Sequence, residues 1–585
     1  MFTLLYVFLF IGICVNLKDK IGKKLYVLFI IFSTVLYLVN NIYYNTMNTF
    51  FDFSLLGLAN EGSSYIIDAI KNAKIWLYLS LILIVVLTFY ALKYYPKDRT
   101  SNYKRLGKNI LIFALIHLLL PLLYGPANND LSWNTWRNVK NIYISFNDNN
   151  KSMRVAGLYE YTLRNFYITY LKETEVKNDT EENFLTDIFK ENEEYKNEYT
   201  AYFKDKNLIL LQMEGIDDWL LKENIMPNLY SLKKNSINFN NHYSFYNGGG
   251  STFNSEFAVN TGYITPISYT RNAYTFNKNT FNYSLARLFK KEGYQVNAFH
   301  MNSAEYYSRG INYKNWGYDN YFGLKDLNQY KNNDYTLDRE LINNKTFYEK
   351  MFPTDKKFVD YVITYSNHTP FTTEKGVCKK LINLDKEENK SPENIYLTEE
   401  ECIKRQAKET DDMIGLLIEA LKNNNLYENT VIVAYSDHYL YTVSDQNILA
   451  RNKNTENNLI NHTPLMIWSN NMSEANISEV TSQLNIMPTV INLFGLEYHP
   501  SYYIASDALD KNYKGFVFFS DYSWYDGNVY YDGGIRNNAY MNKDDLVKKN
   551  ENIAYLIKKN DLVLKYNHFK SIKNDDKEIV SDSNE

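Results

Sequence analysis

Long apolar runs occupy the start of the chain, and short apolar runs recur after residue 205. The early runs lie at about Phe2–Leu17, Leu25–Tyr43, Ile75–Leu92 and Ile110–Leu123. Each approaches the roughly 20 residues that a membrane-spanning helix needs, the first and the last being short. We therefore predict a helical membrane region of about four spans over residues 1–125.

The first run has a second interpretation, because a cleaved signal peptide also begins with an apolar stretch. No basic segment precedes this run and no small-residue cleavage site follows it, so a retained helix is favoured. The stretch Phe50–Ala73 contains Asn60, Glu61 and Asp68 and is interpreted as an amphipathic outer loop rather than a span.

Basic residues predict the orientation of the spans, because cytoplasmic loops carry an excess of lysine and arginine. The loop between the second and third runs holds few of them. The loops after the first and third runs hold Lys18, Lys20, Lys23, Lys24, Lys93, Lys97, Arg99, Lys104, Arg105 and Lys108. With four spans, everything after Tyr124 is then predicted to lie outside the cytoplasm.

Strand-like and helix-like segments alternate from Asn207 onward. Short apolar runs lie at Leu208–Met213, Val296–Phe299, Phe358–Thr364 and Val431–Tyr435, with helical stretches such as Tyr283–Glu292 and Ile403–Asn423 between them. This alternation predicts a mostly parallel sheet with helices on both faces. The segment Phe516–Leu564 is rich in tyrosine and glycine with short alternating runs, which predicts a small antiparallel subdomain.

The predicted organisation has five parts. A membrane region (1–125) is followed by a juxtamembrane linker (126–204), in which Leu158–Leu171 and Thr180–Asn197 are expected to be helical. An α/β catalytic domain (205–510), its C-terminal subdomain (511–570) and a polar tail (571–585) complete the chain.

Polar side chains follow four of the predicted strands. They are Glu214 after the first strand, His300 and Asn302 after the second, His368 after the third, and Asp437 and His438 after the fourth. Ligands of open α/β sheets bind outside the carboxyl ends of the strands, so these side chains are expected to gather at one edge. A single one of them is more often a turn or helix cap, but four together favour a site. Carboxylates combined with imidazoles suit Mn²⁺, Mg²⁺ or Zn²⁺.

A glycine-rich loop offers the nucleophile for such a site. Asn247 and three glycines precede Ser251 and Thr252, and the following residues predict the start of a helix. Glycine lets the backbone approach a ligand closely, and a hydroxyl at the start of a helix lies near free amide donors. A plain structural loop is the alternative. A cation in contact with the Thr252 hydroxyl would lower its pKa and make it a nucleophile near neutral pH.

Charge and cysteine content exclude several classes of protein. The 585 residues include 63 basic and 67 acidic ones, so nothing indicates a nucleic acid as partner. The three cysteines form no C-x-x-C pair, which excludes a zinc ribbon or a thioredoxin-type centre. Cys378 and Cys402 lie in a segment predicted to be extracytoplasmic, so a disulfide between them is a hypothesis, with two free thiols as the alternative. Cys14 is expected to be buried in lipid.

The order of these segments resembles the lipoteichoic acid synthase family, a branch of the alkaline phosphatase and sulfatase superfamily. The resemblance covers the whole layout of membrane spans, linker and outer domain. It rests on the strand ending at Glu214, the Gly-Ser-Thr loop with Ser255-Glu256-Phe257, His300 followed by Arg309, Ser366-Asn-His368-Thr-Pro-Phe371, and Ser436-Asp437-His438.

The resemblance implies a site and a reaction. Its metal ligands would be Glu214, Thr252, Asp437 and His438, with Thr252 as nucleophile, and its substrate contacts Arg309, His368, His300 and Asn302. Mn²⁺ or Mg²⁺ is expected ahead of Zn²⁺. The implied enzyme is a multi-pass protein of the bacterial cell membrane with an extracytoplasmic catalytic domain. It would transfer glycerol phosphate from phosphatidylglycerol, or a related phospholipid, to a glycolipid, a glycan or a growing polymer.

Other functions of the same superfamily remain open. A phosphoethanolamine transferase shares the threonine nucleophile and the membrane anchor, and a sulfatase or phosphodiesterase-type hydrolase shares the fold. A sulfatase would need a C/S-x-P-x-R motif, and none occurs near Thr252. A non-catalytic membrane receptor would have lost metal ligands, and all four are present. The chain departs from the family pattern at Ser251, Phe253, Asn254, Asn302 and Tyr307, which suits a relative with a different acceptor or head group.

Overall fold

The computed structural model describes residues 1–47, 49–58, 70, 73–128, 130–146, 148–172, 178–190, 193–245, 251–269, 271–327, 336–387 and 396–570. The chain packs as two units, residues 1–175 with 267–270 and residues 176–266 with 271–585. The predicted polar tail, residues 247–250 of the glycine-rich loop and most of the predicted outer loop lie outside the described residues. The predicted boundaries at residues 125, 204, 510 and 570 remain predictions.

The first unit is helical. Its α-helices are α1 (Phe2–Asn16), α2 (Asp19–Met47), α3 (Ile75–Lys93), α4 (Tyr103–Leu119), α5 (Trp133–Arg137), α6 (Val139–Ser145), α7 (Asn149–Ala156) and α8 (Leu158–Phe166). A 3₁₀ turn, Leu120–Tyr124, extends α4, and a π-helical turn, Tyr167–Leu171, extends α8. The helix predicted over Leu158–Leu171 is therefore present, and it changes its winding near its end.

Three helices of the described chain are long and apolar enough to cross a membrane. They cover Asp19–Asn45, Ile75–Lys93 and Tyr103–Tyr124. α1 is apolar but has only 15 residues, a length of about 22 Å against a hydrocarbon core of about 30 Å. The predicted group of apolar, span-length helices is thus present, while the membrane itself and α1 as a fourth span stay predictions.

A buried carboxylate organises the inside of this unit. Glu160 on α8 accepts hydrogen bonds from Tyr6 Oη on α1 (2.9 Å) and from Tyr143 Oη on α6 (2.7 Å), and His117 Nε2 on α4 lies 2.8 Å from its Oε2. Both carboxylate oxygens are therefore satisfied, as burial of a charged group requires. The contacts hold α1 and α4 to α8.

The second unit is built on an eight-stranded mixed sheet. In spatial order its strands are β4 (Asn320–Phe322), β3 (Gln295–His300), β5 (Phe358–Ile363), β1 (Asn207–Met213), β6 (Thr430–Ser436), β7 (Leu465–Ser469), β2 (Ser236–Tyr243) and β8 (Ala475–Ser482). β7 runs antiparallel to both its neighbours, and the other paired strands are parallel. The four strands predicted from apolar runs are β1, β3, β5 and β6, which lie next to one another and carry their polar ends to one edge.

Helices cover both faces of this sheet, as the alternation predicted. They are α9 (Asp179–Ile188), α10 (Pro227–Lys233), α11 (Ser251–Thr261), α12 (Leu285–Lys291), α13 (Arg309–Trp316), α14 (Leu324–Leu327), α15 (Glu340–Asn343), α16 (Lys345–Met351), α17 (Gly376–Glu387), α18 (Glu399–Asn423), α19 (Gln446–Asn452), α20 (Gln483–Leu493) and α21 (Lys543–Lys565). The acidic helix expected over Thr180–Asn197 ends at Ile188.

α18 is the longest helix of this unit, and its sequence explains where it begins. Thr398 and Glu401 form a reciprocal capping box at its start, and acidic residues fill its first turn. Its apolar stripe, which includes Ile403, Met413 and Leu417, is buried against the sheet. Cys402 on α18 forms a disulfide with Cys378 on α17, so the structure agrees with the disulfide hypothesis. Cys14 is a buried free thiol.

The C-terminal part differs from its prediction. The expected antiparallel sheet exists and is small, formed by β9 (Val517–Phe518), β10 (Trp524–Tyr525) and β11 (Tyr530–Tyr531). Short alternating segments do not continue to Leu564, because α21 occupies the chain from Lys543. Asn542 caps this helix by accepting a hydrogen bond from Asp545 N, and its apolar positions Ile553 and Ile557 are four residues apart, on one buried face.

Candidate active site

The ends of the two central strands meet in a buried cluster. Glu214 follows β1, and Asp437 and His438 follow β6, its parallel neighbour. One ligand-type atom from each of the three residues lies within 4.8 Å of the others. His438 Nε2 is 3.4 Å from Glu214 Oε1 and 3.2 Å from Asp437 Oδ2. These three predicted metal ligands are therefore brought together.

The hydrogen bonds around Asp437 leave one of its oxygens for a cation. Its Oδ1 accepts from the backbone amides of Gly215 (2.9 Å) and His438 (2.8 Å). Its Oδ2 is buried and accepts no hydrogen bond within the described chain. His438 Nδ1 donates to Tyr439 O (3.0 Å), which directs Nε2 toward the carboxylates. This donor set of two carboxylates and one imidazole fits a hard divalent cation.

Burial sets the charges in this cluster. Burial and the Glu214 carboxylate raise the pKa of Asp437 well above its ordinary value. Burial also opposes ionisation of Glu214, but the His438 imidazolium outweighs it and lowers the pKa of Glu214. Burial disfavours charge on His438, yet the two carboxylates raise its pKa to about 9. A cation would offset the repulsion between two buried carboxylates.

Thr252 lies beside this cluster. It is in the first turn of α11, and its Oγ1 donates to Glu214 Oε2 at 3.2 Å. Gln212 Nε2 on β1 donates to the Thr252 carbonyl oxygen at 3.2 Å. Gln212 is itself held, because its Oε1 accepts from both Tyr361 and Tyr435 hydroxyls. The predicted nucleophile is thus positioned through its backbone and its hydroxyl.

Arg309 is buried and already paired. Its Nε donates to both Glu256 oxygens (3.1 and 3.0 Å), and its Nη2 lies 2.6 Å from Glu256 Oε1. Burial opposes its charge, but Glu256 raises the pKa of Arg309 well above its ordinary value. The ion pair between Arg309 and Glu256 is therefore a buried one. Because Glu256 occupies the Nε edge of Arg309, this edge cannot bind a phosphate in bidentate fashion. The Nη1 atom of Arg309 is buried and has no hydrogen-bond partner within the described chain.

The turn before Arg309 is strained. Tyr307 and Ser308 both adopt left-handed backbone conformations, with φ of 54° and 50°. Such conformations are costly for residues other than glycine and tend to be kept at functional sites. The Tyr307 ring lies 5.0 Å from the guanidinium carbon of Arg309. This turn places Arg309 at the start of α13, with an aromatic wall beside it.

His300 and Asn302 follow β3, as predicted, but their side chains differ in setting. His300 is buried and its Nδ1 donates to Ile363 O at 3.0 Å. Burial and the nearby charge of Arg309 lower the pKa of His300 well below its ordinary value, so it is neutral. The Asn302 side chain is half-buried, and its Oδ1 accepts from Ser303 N at 2.6 Å within its own turn. Asn302 therefore shapes the turn.

His368 lies on the loop after β5, and α18 holds that loop. Its Nδ1 donates to Thr369 O at 2.7 Å, and its ring stacks on Tyr365 at 5.4 Å. Gln406 Nε2 on α18 donates to Ser366 O and to His368 O, both at 2.9 Å. α18 therefore holds the backbone on both sides of Asn367 in the His368 loop.

Several supporting residues had no predicted role. Glu256 lies four residues after Thr252, a spacing that places both side chains on one side of α11. This spacing could have indicated from the sequence that Glu256 lies near the site. Gln483 Nε2 donates to Ser255 Oγ and to Asp437 O, both at 2.8 Å. The sequence contains no signal for Gln483 or Gln406, because their partners lie in distant segments of the chain.

Comparisons with known proteins found a family match for the α/β domain. Residues 206–496 match the protein family described as Sulfatase. The chain is 24% identical over 413 residues to the lipoteichoic acid synthase of Staphylococcus aureus strain USA300. That match covers 66% of this chain and 61% of the relative, so the chain spans less than two thirds of the relative's length.

Solved structures with the same fold include two bacterial proteins. The lipoteichoic acid synthase from Listeria monocytogenes has a TM-score of 0.52 and 23% identity, covering 66% of this chain and 97% of that one. A protein in the alkaline phosphatase superfamily from Vibrio parahaemolyticus has a TM-score of 0.51 and 16% identity, covering 68% and 98%. Both likenesses show the fold of the α/β domain.

Proposed function

Because this chain carries a Sulfatase-family domain, we propose that it is a membrane-anchored, metal-dependent phosphoglycerol transferase. The observation that carries the proposal is the Thr252 hydroxyl, 3.2 Å from a carboxylate of a buried Glu–Asp–His cluster. A relative at 24% identity is a lipoteichoic acid synthase, which favours glycerol phosphate as the transferred group. The donor is phosphatidylglycerol or a related phospholipid, and the acceptor is a glycolipid, a glycan or a growing polymer.

Four side chains would hold one divalent cation, Mn²⁺ or Mg²⁺ ahead of Zn²⁺. They are Glu214, Asp437, His438 and the hydroxyl of Thr252. When bound, the cation lowers the pKa of a hydroxyl and offsets negative charge on phosphoryl oxygens. Hard oxygen ligands favour such ions over soft metals.

The reaction proceeds in two displacements at one phosphorus atom. Thr252 gives its hydroxyl proton to solvent water and its Oγ1 attacks the phosphodiester, forming an O–P bond as the P–O bond to diacylglycerol breaks. The leaving oxygen takes a proton from His368. An acceptor hydroxyl then gives its proton to His368 and attacks the same phosphorus. The bond between phosphorus and Thr252 Oγ1 breaks, and Oγ1 takes a proton from solvent water.

Arg309 contributes charge in this scheme. Glu256 fixes its Nε edge, and the unpartnered Nη1 is left to donate to a phosphoryl oxygen. A preorganised donor of this kind stabilises charge that develops in the transition state, and removing one typically costs about 2.7–4 kcal/mol. His300 is neutral and offers a ring nitrogen without adding charge.

The apolar helices anchor the enzyme in a bacterial cell membrane as a multi-pass protein. The distribution of basic residues supports a catalytic domain on the outer side. A lipid donor then reaches the site from the membrane surface, which suits an enzyme that acts on a phospholipid head group.

A trapping experiment tests the proposal. The full chain in detergent is given phosphatidylglycerol labelled in the terminal glycerol, with labelled phosphatidylethanolamine in a parallel sample. The wild type and Thr252→Ser should form a labelled protein adduct on residue 252, and Thr252→Val should form none. Chelation should abolish turnover, and Mn²⁺ or Mg²⁺ should restore it.

The matched substitutions separate the possible results. Val and Thr have similar shapes, so a folded Thr252→Val protein without adduct isolates the hydroxyl. Turnover by Thr252→Val, or a wild type indifferent to chelator, would disprove the mechanism. If only phosphatidylethanolamine gave the adduct, the enzyme would be a phosphoethanolamine transferase instead. If water were the sole acceptor, the enzyme would be a hydrolase.

A further inference from the structure

A cavity of about 300 Å³ lies in the second unit between the start of α20, the β9 region and α21. We call it the α20–α21 cavity. Its volume is at the lower end of the range for small-molecule sites. Its lining combines aromatic rings, amides and hydroxyls with two lysines, Lys514 and Lys559.

Lys559 is the unusual member of this lining. It is 4% exposed, and its Nζ donates to the Tyr503 carbonyl oxygen at 2.7 Å. Among the described residues that line the cavity there is no carboxylate, and no ion pair with Lys559 occurs in the described chain. Burial alone lowers its pKa to about 7. A buried lysine without an acid is costly, and such groups are usually paired or bind a ligand.

A second source of positive potential reaches the same cavity. Ser482, Leu484 and Asn485 line it, and they form the N-terminal end of the eleven-residue helix α20. The N-terminus of a helix carries partial positive charge and favours anions. Lys514 adds another positive charge. The helix terminus, Lys514 and Lys559 therefore all contribute positive potential to this cavity.

The aromatic part of the lining suits an organic group. Tyr503, Tyr513, Phe516 and Phe518 line the cavity together with Phe245. Ligand sites typically join apolar and aromatic walls to a few polar groups that fix orientation. A phosphate beside Lys559 and an uncharged organic body against these rings would use both features.

We propose that the α20–α21 cavity binds a small phosphate-bearing organic molecule, with Lys559 as the counter-charge of the phosphate. Gln483 lies between this cavity and the catalytic cluster, because its neighbours Ser482 and Leu484 line the cavity while its own amide contacts Asp437 O. The site is thus separate from Glu214, Asp437 and His438. It goes beyond the proposed transferase activity and does not depend on it.

Calorimetric titration of the full chain in detergent tests this site. Every variant carries Thr252→Val and is titrated with chelator present, so that the catalytic cluster contributes little. The probes are inorganic phosphate, glucose 6-phosphate and glucose. Lys559→Met is compared with Lys558→Met, which removes the same charge from the next position of α21, outside the cavity.

We expect glucose 6-phosphate to bind more tightly than phosphate, and glucose not to bind. Lys559→Met should weaken binding of glucose 6-phosphate by roughly tenfold or more, the scale of one hydrogen bond to a charged group, and Lys558→Met should leave it unchanged. Equal weakening in both variants, or no binding to either, would overturn the proposal. If inorganic phosphate bound as tightly as glucose 6-phosphate, the proposal that the ligand carries an organic group would be overturned.

Misfolding does not explain the expected loss. Without ligand, Lys559→Met should unfold at the same temperature as the parent or higher, because methionine fills similar space without a buried charge. The same variant should lose the ligand-induced rise in unfolding temperature that the parent shows. A variant that unfolds at lower temperature and still keeps that rise would contradict the assignment of Lys559.

Discussion

At the scale of single residues, the buried ion pair between Arg309 and Glu256 gives the most direct prediction. Both side chains are at most 1% exposed, and Tyr313 Oη also donates to Glu256 Oε2 at 2.9 Å. Removing one member of such a pair leaves an uncompensated charge in the interior. We therefore expect Glu256→Ala to destabilise the protein by roughly 3–5 kcal/mol and to abolish transfer.

Thermal unfolding and lipid turnover check this expectation. Glu349→Ala is the matched control, because its ion pair with Lys345 lies on the surface of α16 and is worth less than about 1 kcal/mol. A Glu256→Ala protein as stable as the Glu349→Ala protein would show that the pair is not needed to hold Arg309.

The pKa of Lys559 predicts a pH dependence of stability. Burial lowers it from 10.5 to about 7 in the folded chain. Between these values the unfolded lysine holds a proton that the folded one has lost, so the free energy of unfolding should rise with pH over that window. Below about pH 7 both states are protonated and the destabilisation is complete.

Chemical unfolding at several pH values measures this slope. The wild type and Lys558→Met should share it, while Lys559→Met should be flatter between about pH 7 and pH 10. Identical slopes in Lys559→Met and the wild type would mean that the buried lysine keeps its ordinary pKa.

At the scale of elements, α18 acts as the platform of the His368 loop. Gln406 donates to two carbonyl oxygens of this loop. Asp338 Oδ1 accepts from Tyr365 N and Ser366 N, and its Oδ2 accepts from Thr410 on α18. The disulfide from Cys402 ties the same helix to α17, four residues before Gln406. One helix thus sets the position of the side chain that we propose to transfer protons.

Gln406→Ala should therefore slow the chemical step without changing metal affinity. Losing two hydrogen bonds frees the loop, and misplacing a catalytic group by about 1 Å can cost roughly 100-fold in rate. The readouts are kcat and the Mn²⁺ concentration that restores activity. Gln446→Ala is the control, since Gln446 donates to Val443 O away from the site. A normal kcat in Gln406→Ala would show that α18 is not needed to position His368.

At the scale of the whole molecule, the main prediction concerns membrane topology. Reporter fusions at Arg99 and Asn128 should report opposite sides, with Arg99 in the cytoplasm, because basic residues cluster around Arg99. A third fusion at Met1 tests α1, the short helix. It should report the outer side if α1 spans and the cytoplasm if only the three longer helices do.

The fusion at Lys74, before α3, serves as the internal standard, since every arrangement with α2 and α3 as spans places it outside. Arg99 and Asn128 on the same side would disprove a span at α4. Such a result would also remove the basis for an outer catalytic domain.

Much of the catalytic edge was predictable from the sequence. β1, β3, β5 and β6 are largely apolar, as is typical of strands buried on both faces, and their ends carry the polar residues of the candidate site. β2 and β8 were not predicted, because their sequences are polar. β8 lies next to β2 at the edge of the sheet, and half of its residues are exposed. α21 was missed because its charged residues obscured a single apolar stripe.

The sequence by itself determined the membrane helices, the α/β class and the residues that end the central strands, because all three follow from local hydrophobic pattern and strand polarity. Only the tertiary structure decided that Glu256 takes one edge of Arg309, that Gln406 and Gln483 support distant loops, and that Lys559 lines a cavity without an acid. These facts depend on contacts between residues 38 to 228 positions apart in the sequence. Local pattern does not encode such contacts, since burial and pairing are properties of the packed chain.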